Sequence, residues 1–147
     1  MNEKYLVSSR DFCNVSENGN IAGFQVKVKI PYYRGIFVSL IDSLHLKVDE
    51  EDFPRDAIRF TIGNHTMTLD EVEKTTDLRW PFEQAATLTI KKPGGLSSGI
   101  HTVQFTIVIR KSYWPKTDPD HLYSFMPLSG GPYLSEESAT KRMTLVQ

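Results

Sequence analysis

From Phe24 to Ile30 the chain alternates strictly: Phe24, Val26, Val28 and Ile30 are apolar, and Gln25, Lys27 and Lys29 are polar. A period of two sends successive side chains to opposite faces, so this run predicts a β-strand buried on one side and wet on the other. Thr87 to Lys91 repeats the pattern, as does Leu44 to Val48. Val103 to Arg110 follows it with the odd positions inward, and only Val108 breaks the rule. Shorter strand candidates are Ala57 to Ile62, Thr66 to Leu69 and Arg142 to Val146, with Phe12 to Val15 pairing near the N-terminus. The one helical candidate, Asp70 to Lys74, is about one turn long.

Turn chemistry separates these runs. Glu17-Asn18-Gly19-Asn20 contains Asn-Gly, a strong two-residue hairpin signal, and Gly63-Asn64 links two short strands in the same way. Lys92-Pro93-Gly94-Gly95 and Ser97-Ser98-Gly99 bracket the link into the Val103 strand. Short strands at such spacing predict an all-β fold, a two-sheet antiparallel sandwich occupying residues 1–147 as one domain. Two stretches do not fit plain strands. Pro31 lacks the amide proton a central ladder needs, so the Phe24 strand should stop there, leaving Tyr32, Tyr33 and Arg34 at a sheet end before Gly35. The second stretch, 115–140, holds Pro115, Pro119, Pro127 and Pro132 and reads as one long irregular loop near the C-terminus. It also carries Tyr123, Phe125, Met126 and Leu128, more apolar surface than a solvated linker would keep, so it is expected to dock on its own sandwich or on another chain.

Composition narrows the function classes. The chain has 147 residues and a net charge of −1, with acids and bases interspersed and no basic stripe to follow a phosphate backbone. No apolar run approaches the ~20 residues of a membrane helix. The polar start, Met1 to Val7, does not resemble a secretion signal, and the single Cys13 makes no internal disulfide, so a cytoplasmic location is expected. On that reading the sequons at Asn14 and Asn64 are coincidental.

Candidate chemistry is sparse. His45, His65, His101 and His121 form no HxH or HExxH motif, and zinc needs three or four converging ligands. His45 alternates outward, His65 falls in a turn, and His101 leads into a strand near a rim. The acidic run Asp49 to Asp52 reads as a solvated turn, and Cys13, next to Phe12, as a buried structural thiol. Glu71 and Glu73 have no spacing that implies a hydrolytic pair. There is no nucleophile elbow, phosphate loop or dinucleotide fingerprint. Aromatic and arginine side chains stand out instead. Tyr32, Tyr33, Arg34, Trp80, Tyr113, Trp114, Tyr123 and Phe125 are the candidate partner-interface or active-site-rim residues, because Tyr, Trp and Arg dominate interface energetics. For Trp80 and Trp114, core packing at a strand end is the competing reading.

Several segments together resemble the small β subunit of bacterial C-glycoside deglycosidases: Glu17-Asn18-Gly19 with Gly23 to Val28, Ile30 to Gly35, Arg59 to Gly63, Asp77 to Trp80, Ala86 to Leu96, and Lys141 to Val146. Their order and spacing carry the likeness; Pro115 to Ala139 is its weakest part. The resemblance implies a β-sandwich paired with a larger TIM-barrel α subunit that holds a divalent metal, typically manganese, and the catalytic histidine base. It implies cleavage of the carbon–carbon bond between a sugar and an aromatic, flavonoid-like aglycone, after a separate oxidoreductase has oxidised the sugar at C3. The 3-ketone acidifies the neighbouring C2–H, and deprotonation there leads to elimination of the aglycone. No catalytic residue and no cofactor transfers to this chain, which is expected to assemble into a higher-order hetero-oligomer. A free-standing carbohydrate-binding sandwich using Trp80 and Trp114 is the alternative, and a metal-dependent barrel enzyme using His45, His65 or His101 a third reading.

Overall fold

A computed structural model describes residues 6–30, 35–82, 84–110 and 134–145, with the side chains of 110, 134 and 135 set aside. The strands are β1 Val7–Glu17, β2 Asn20–Val28, β3 Ile36–Phe37, β4 Ile41–Val48, β5 Glu51–Asp52, β6 Ile58–Ile62, β7 His65–Thr68, β8 Arg79–Trp80, β9 Ala86–Lys91, β10 Gly99–Arg110 and β11 Leu134–Leu145. One helix, α1, spans Leu69–Lys74. Two sheets face each other, in the orders β1-β2-β9-β6-β7 and β11-β10-β4-β5, and β3 with β8 forms a small ribbon. Every pairing among them is antiparallel, and the fold is the all-β sandwich that the alternation implies.

The predicted parity decides what fills the gap between the sheets. Phe24, Val26 and Val28 from β2 and Leu88 and Ile90 from β9 meet Leu44 and Leu46 from β4 and Val103, Phe105, Ile107 and Ile109 from β10, all buried. Each fully buried side chain of this size contributes roughly 1.5–3 kcal/mol, so the inner faces dominate stability. Val108, the exception to the alternation, faces outward beside Ser43 and Glu136 in the paired strands.

The turns follow their chemistry. Asn18 and Gly19 both have positive φ, 54° and 83°, as a two-residue hairpin requires. Gly23 is needed for a different reason: a Cβ there would lie 1.9 Å from the carbonyl oxygen of Ile90, because β2 and β9 approach closely beside a bulge in β1. Thr68 and Glu71 form a capping box at α1, with Glu71 N–H on Thr68 Oγ1 at 3.1 Å and Thr68 N–H on Glu71 Oε1 at 2.8 Å. Leu69 and Val72 of α1 are buried, and the helix covers the free edge of β4. At the other side β1 lies against β11, where Lys141 Nζ donates to the Val7 carbonyl at 3.3 Å.

Two ends result. At the first end are the β2 terminus, the start of β9, the start of β4 and the junction of β10 with β11: Val28 pairs with Ala86, Ile41 with Ile109, and Arg110 with Leu134. The β3–β8 ribbon joins this end through Val38 N–H on Leu78 O at 2.9 Å. At the second end lie the β1–β2 and β4–β5 turns and the loop from Lys92 to Ser98, clasped by a Lys92–Glu51 ion pair of 3.2 Å between the sheets.

The structure extends two expectations. β1 runs well beyond Phe12 to Val15. The stretch expected to be irregular through Thr140 becomes strand at Leu134, because β11 pairs with β10 along its whole length. Between 134 and 140 only Leu134 and Ala139 are apolar, so ladder pairing with a twelve-residue neighbour, rather than local pattern, decides the conformation there.

Candidate functional site

Besides the Arg55–Asp70–Glu73 ion pairs beside α1, polar groups of the described residues gather in three places that bear on the site. The first is at the second end of the sandwich, where His101 begins the inward parity of β10 and is buried at 7 % exposure. Its Nδ1 lies 2.5 Å from Asp49 Oδ2, and its Nε2 lies 2.7 Å from the Ser97 carbonyl oxygen. Asp49 sits in the β4–β5 turn with φ of 49°, followed by Glu50 at 73°, and its second oxygen accepts the Thr102 N–H at 2.9 Å. Phe12 packs edge-on against the imidazole, ring centres 6.2 Å apart. The hydrogen bond from His101, then that from Thr102, hold the Asp49 carboxyl below its usual range against a small opposing effect of burial. For His101, burial is the largest single influence and pulls downward, yet the bonds to Asp49 and Ser97 and the Asp49 charge together outweigh it and raise the imidazole above 6.5. Both ring nitrogens face oxygen acceptors, so in its imidazolium form the ring donates to both. The pair is a strut between a turn and a strand.

The second place is the first end. Arg79 lays its guanidinium over the Phe37 ring, 5.0 Å from the centroid, and reaches the Gly35 carbonyl at 3.5 Å. Phe82 stands 47 % exposed three residues further on. A guanidinium stacked on an aromatic ring, with an exposed phenyl group three residues on in the chain, offers the kinds of side chain that interfaces favour. The third place is an open groove of about 280 Å³ on the outer face of the five-stranded sheet, with Glu17, Arg59 and Lys91 at its wall. One arm of Arg59 is already committed to the carbonyls of Asp56 and Ile58, at 2.8 and 3.2 Å.

The residues singled out by sequence divide sharply. Trp80 is fully buried, its ring edge-on to Phe60 at 5.3 Å and its Nε1–H donating to Gln84 O at 2.6 Å. The core reading holds for it, and the rim reading is corrected: pairing of β8 with β3 turns the indole inward against β6. Tyr32, Tyr33, Arg34, Tyr113, Trp114, Tyr123 and Phe125 lie outside the described residues, as does His121. The described residues that flank them do share a location. Ile30 and Gly35 on one side, and Arg110 and Leu134 on the other, belong to the first end, beside Arg79 and Phe82.

His45 and His65 are exposed, as their positions implied. Cys13 is half-buried rather than buried, on the outer face of β1 opposite Gln25. Among the described residues no three of His, Cys, Asp and Glu converge in a way that would hold a metal ion, and no helix is long and apolar enough to cross a membrane. Sequence reasoning missed the His101–Asp49 pair, although the parity of β10 already pointed His101 inward. It also missed the Arg79–Phe37 stack, which needs the β3–β8 pairing to come together.

The described residues thus make an all-β sandwich with a buried histidine–carboxylate pair at one end and exposed Arg79 and Phe82 at the other. Comparison with known proteins makes that class specific. The family model described as C-glycoside deglycosidase beta subunit matches residues 2–113, and the chain belongs to that family. It is similar to the C-glycoside deglycosidase beta subunit of Eubacterium cellulosolvens, 38% identical over 121 residues covering 82% of each chain. It is also similar to a 3'-dehydrocarminate deglycosidase beta subunit from a Microbacterium species, 28% identical over 123 residues and 83% of each chain. A C-glycoside deglycosidase beta subunit of Arthrobacter globiformis matches at 36% identity over 61 residues, 41% of this chain and 47% of its own length. The chain is thus a subunit of a deglycosidase-type enzyme complex.

Proposed function

We propose that this chain is the non-catalytic subunit of a heteromeric enzyme that splits the carbon–carbon bond between a 3-oxo sugar and an aromatic aglycone by elimination. In that reaction a base removes the C2 proton made acidic by the ketone, the electron pair forms a C1–C2 double bond, and the aglycone departs from C1 with a proton. The base and a divalent metal, manganese by family resemblance, belong to a larger TIM-barrel α subunit. The described residues offer no set of ligands for such an ion, and no step is assigned to this chain through it. What supports the reading is family membership over residues 2–113 combined with a buried His–Asp pair whose ring nitrogens are both spent on structural acceptors. The partner is proposed to meet the first end of the sandwich, where Arg79 and Phe82 are exposed and where the stretches carrying Tyr32, Tyr33, Arg34, Tyr113, Trp114, Tyr123 and Phe125 connect to described strands.

The test is reconstitution. The chain is purified alone and together with its α subunit, and each preparation is given a 3-oxo-C-glycoside. Release of aglycone only by the pair is the expected result. Turnover by this chain alone at the rate of the complex would overturn the proposal, and calorimetric binding of simple sugars by the isolated chain would favour a carbohydrate-binding module instead.

A further inference from the structure

We propose that His101 is a protonation-operated catch: as an imidazolium it ties the β4–β5 turn to the loop and strand on either side of it, and as a neutral ring it must release one of them. The argument is one of hydrogen-bond counting. Both partners of the ring are acceptors, the Asp49 carboxylate at 2.5 Å and the Ser97 carbonyl at 2.7 Å. A neutral imidazole has one N–H and one lone pair, so it can satisfy only one of the two oxygens, and the other contact becomes repulsive at that distance. Only the doubly protonated ring donates to both. Burial at 7 % exposure leaves little room for water to replace the lost donor.

Among the described residues around the ring, no titratable group other than Asp49 faces it. From the β4–β5 turn, Asp49 faces the ring; Glu50 is exposed, and Glu51 is paired with Lys92. From β1, Phe12 presents a ring edge; from β11, the buried Met143 lies opposite His101 in the ladder; from the Lys92–Ser98 loop, only the Ser97 carbonyl reaches it. Release is structural in consequence because the same loop is held by few other side chains: Lys92 is paired with Glu51 at its start, and Asn14 grips its far part. Asn14 Nδ2 donates to Leu96 O and Asn14 Oδ1 accepts Leu96 N–H, both at 2.9 Å. Losing the Ser97 contact leaves Asn14 and the Lys92–Glu51 pair as the side-chain tethers of that loop among the interactions described. The direction of the effect is fixed. The histidine's folded value is raised, so its stabilisation is complete below about 6.5 and is lost as pH climbs through the raised value.

Side-chain nitrogen NMR on the full-length chain between pH 5 and 9 tests this. At neutral pH both His101 nitrogens are expected at imidazolium shifts, with a midpoint above the ordinary histidine value. Intrinsically corrected amide exchange at Ser97 to Thr102 is expected to rise about tenfold across that midpoint, the change that follows loss of one charge-assisted hydrogen bond. Asp49→Asn, at an exposed turn position, is expected to fold, to lower the His101 midpoint, and to flatten the exchange response. A His101 ring that is neutral at pH 6, or one that titrates with no change in loop exchange, would overturn the proposal. Should Asp49→Asn fail to fold, His101→Gln serves instead: it donates at one position only and should show wild-type-alkaline exchange at every pH, whereas protected exchange would count against the catch.

Discussion

Replacing Trp80 with Phe separates the two roles an end-of-strand tryptophan can have. The indole is fully buried, packs edge-on to Phe60 and donates Nε1–H to Gln84 O at 2.6 Å. Phenylalanine keeps the aromatic contact and loses the rest. The roughly 40 Å³ by which indole exceeds phenyl, at ~24 cal/mol per Å³ of unfilled cavity, costs about 1 kcal/mol. The lost hydrogen bond costs about another 1 kcal/mol, and no more, because Gln84 is exposed and its carbonyl can turn to water. The sum, about 2 kcal/mol, is a large share of the 5–15 kcal/mol typical of a domain. Urea denaturation followed by far-UV circular dichroism would register it as a midpoint lowered by about 1 M at unchanged slope. Affinity for the α subunit, measured well below the unfolding midpoint, should stay within twofold of wild type. Stability lowered by less than 0.5 kcal/mol, or intact stability with lost assembly, would refute the packing argument and return Trp80 to the surface.

Other outcomes follow from the same geometry. Gly23→Ala should lower the melting temperature by roughly 5 °C or more, since its Cβ meets the Ile90 carbonyl at 1.9 Å and strand separation of that kind costs about 1–3 kcal/mol; differential scanning calorimetry decides it. Arg79→Ala with Phe82→Ser should weaken subunit association by about 1 kcal/mol or more while leaving the melting temperature within 2 °C, since both side chains are exposed at the first end. Tyr32, Tyr33 and Arg34 changed together to Ala should cost association about 2 kcal/mol or more if they are anchors, and isothermal titration against the α subunit gives the number. Stability of the full chain should fall as pH rises from 6.5 through the raised His101 value, and fall again below the ordinary carboxylate range as Asp49 gains its proton; a flat profile over both limbs would contradict the pairing.

Much of the architecture was readable because period-two alternation is strong wherever one face of a sheet is wet. Phe24 to Val28, Leu44 to Val48, Thr87 to Lys91 and Val103 to Arg110 all became strands with the predicted parity, and Asn18-Gly19 became the hairpin it signals. β11 was legible only over its last residues. Ser135, Glu136 and Glu137 have no pattern of their own, and they are extended because β10 offers them partners. The polar pair at the second end was hidden for a different reason. Asp49 and His101 are 52 residues apart, and a run of four acids reads as solvated whatever one of them does. Arg79 and Phe37 are brought together by a ribbon of two residues per strand, shorter than any periodicity can reveal.

A subunit made before its companion is ready must not find the wrong one. The seam between β1 and β11 is where such an error would begin, since both are long strands at the margins of their sheets and carry backbone groups able to recruit a stray copy. Lys141 has the inward parity of Ala139 and Met143, yet its ammonium stretches across to the Val7 carbonyl. An intruding strand would have to displace that ammonium from the Val7 carbonyl. A charge placed there opposes stray edge-to-edge pairing, as lysines on marginal strands commonly do.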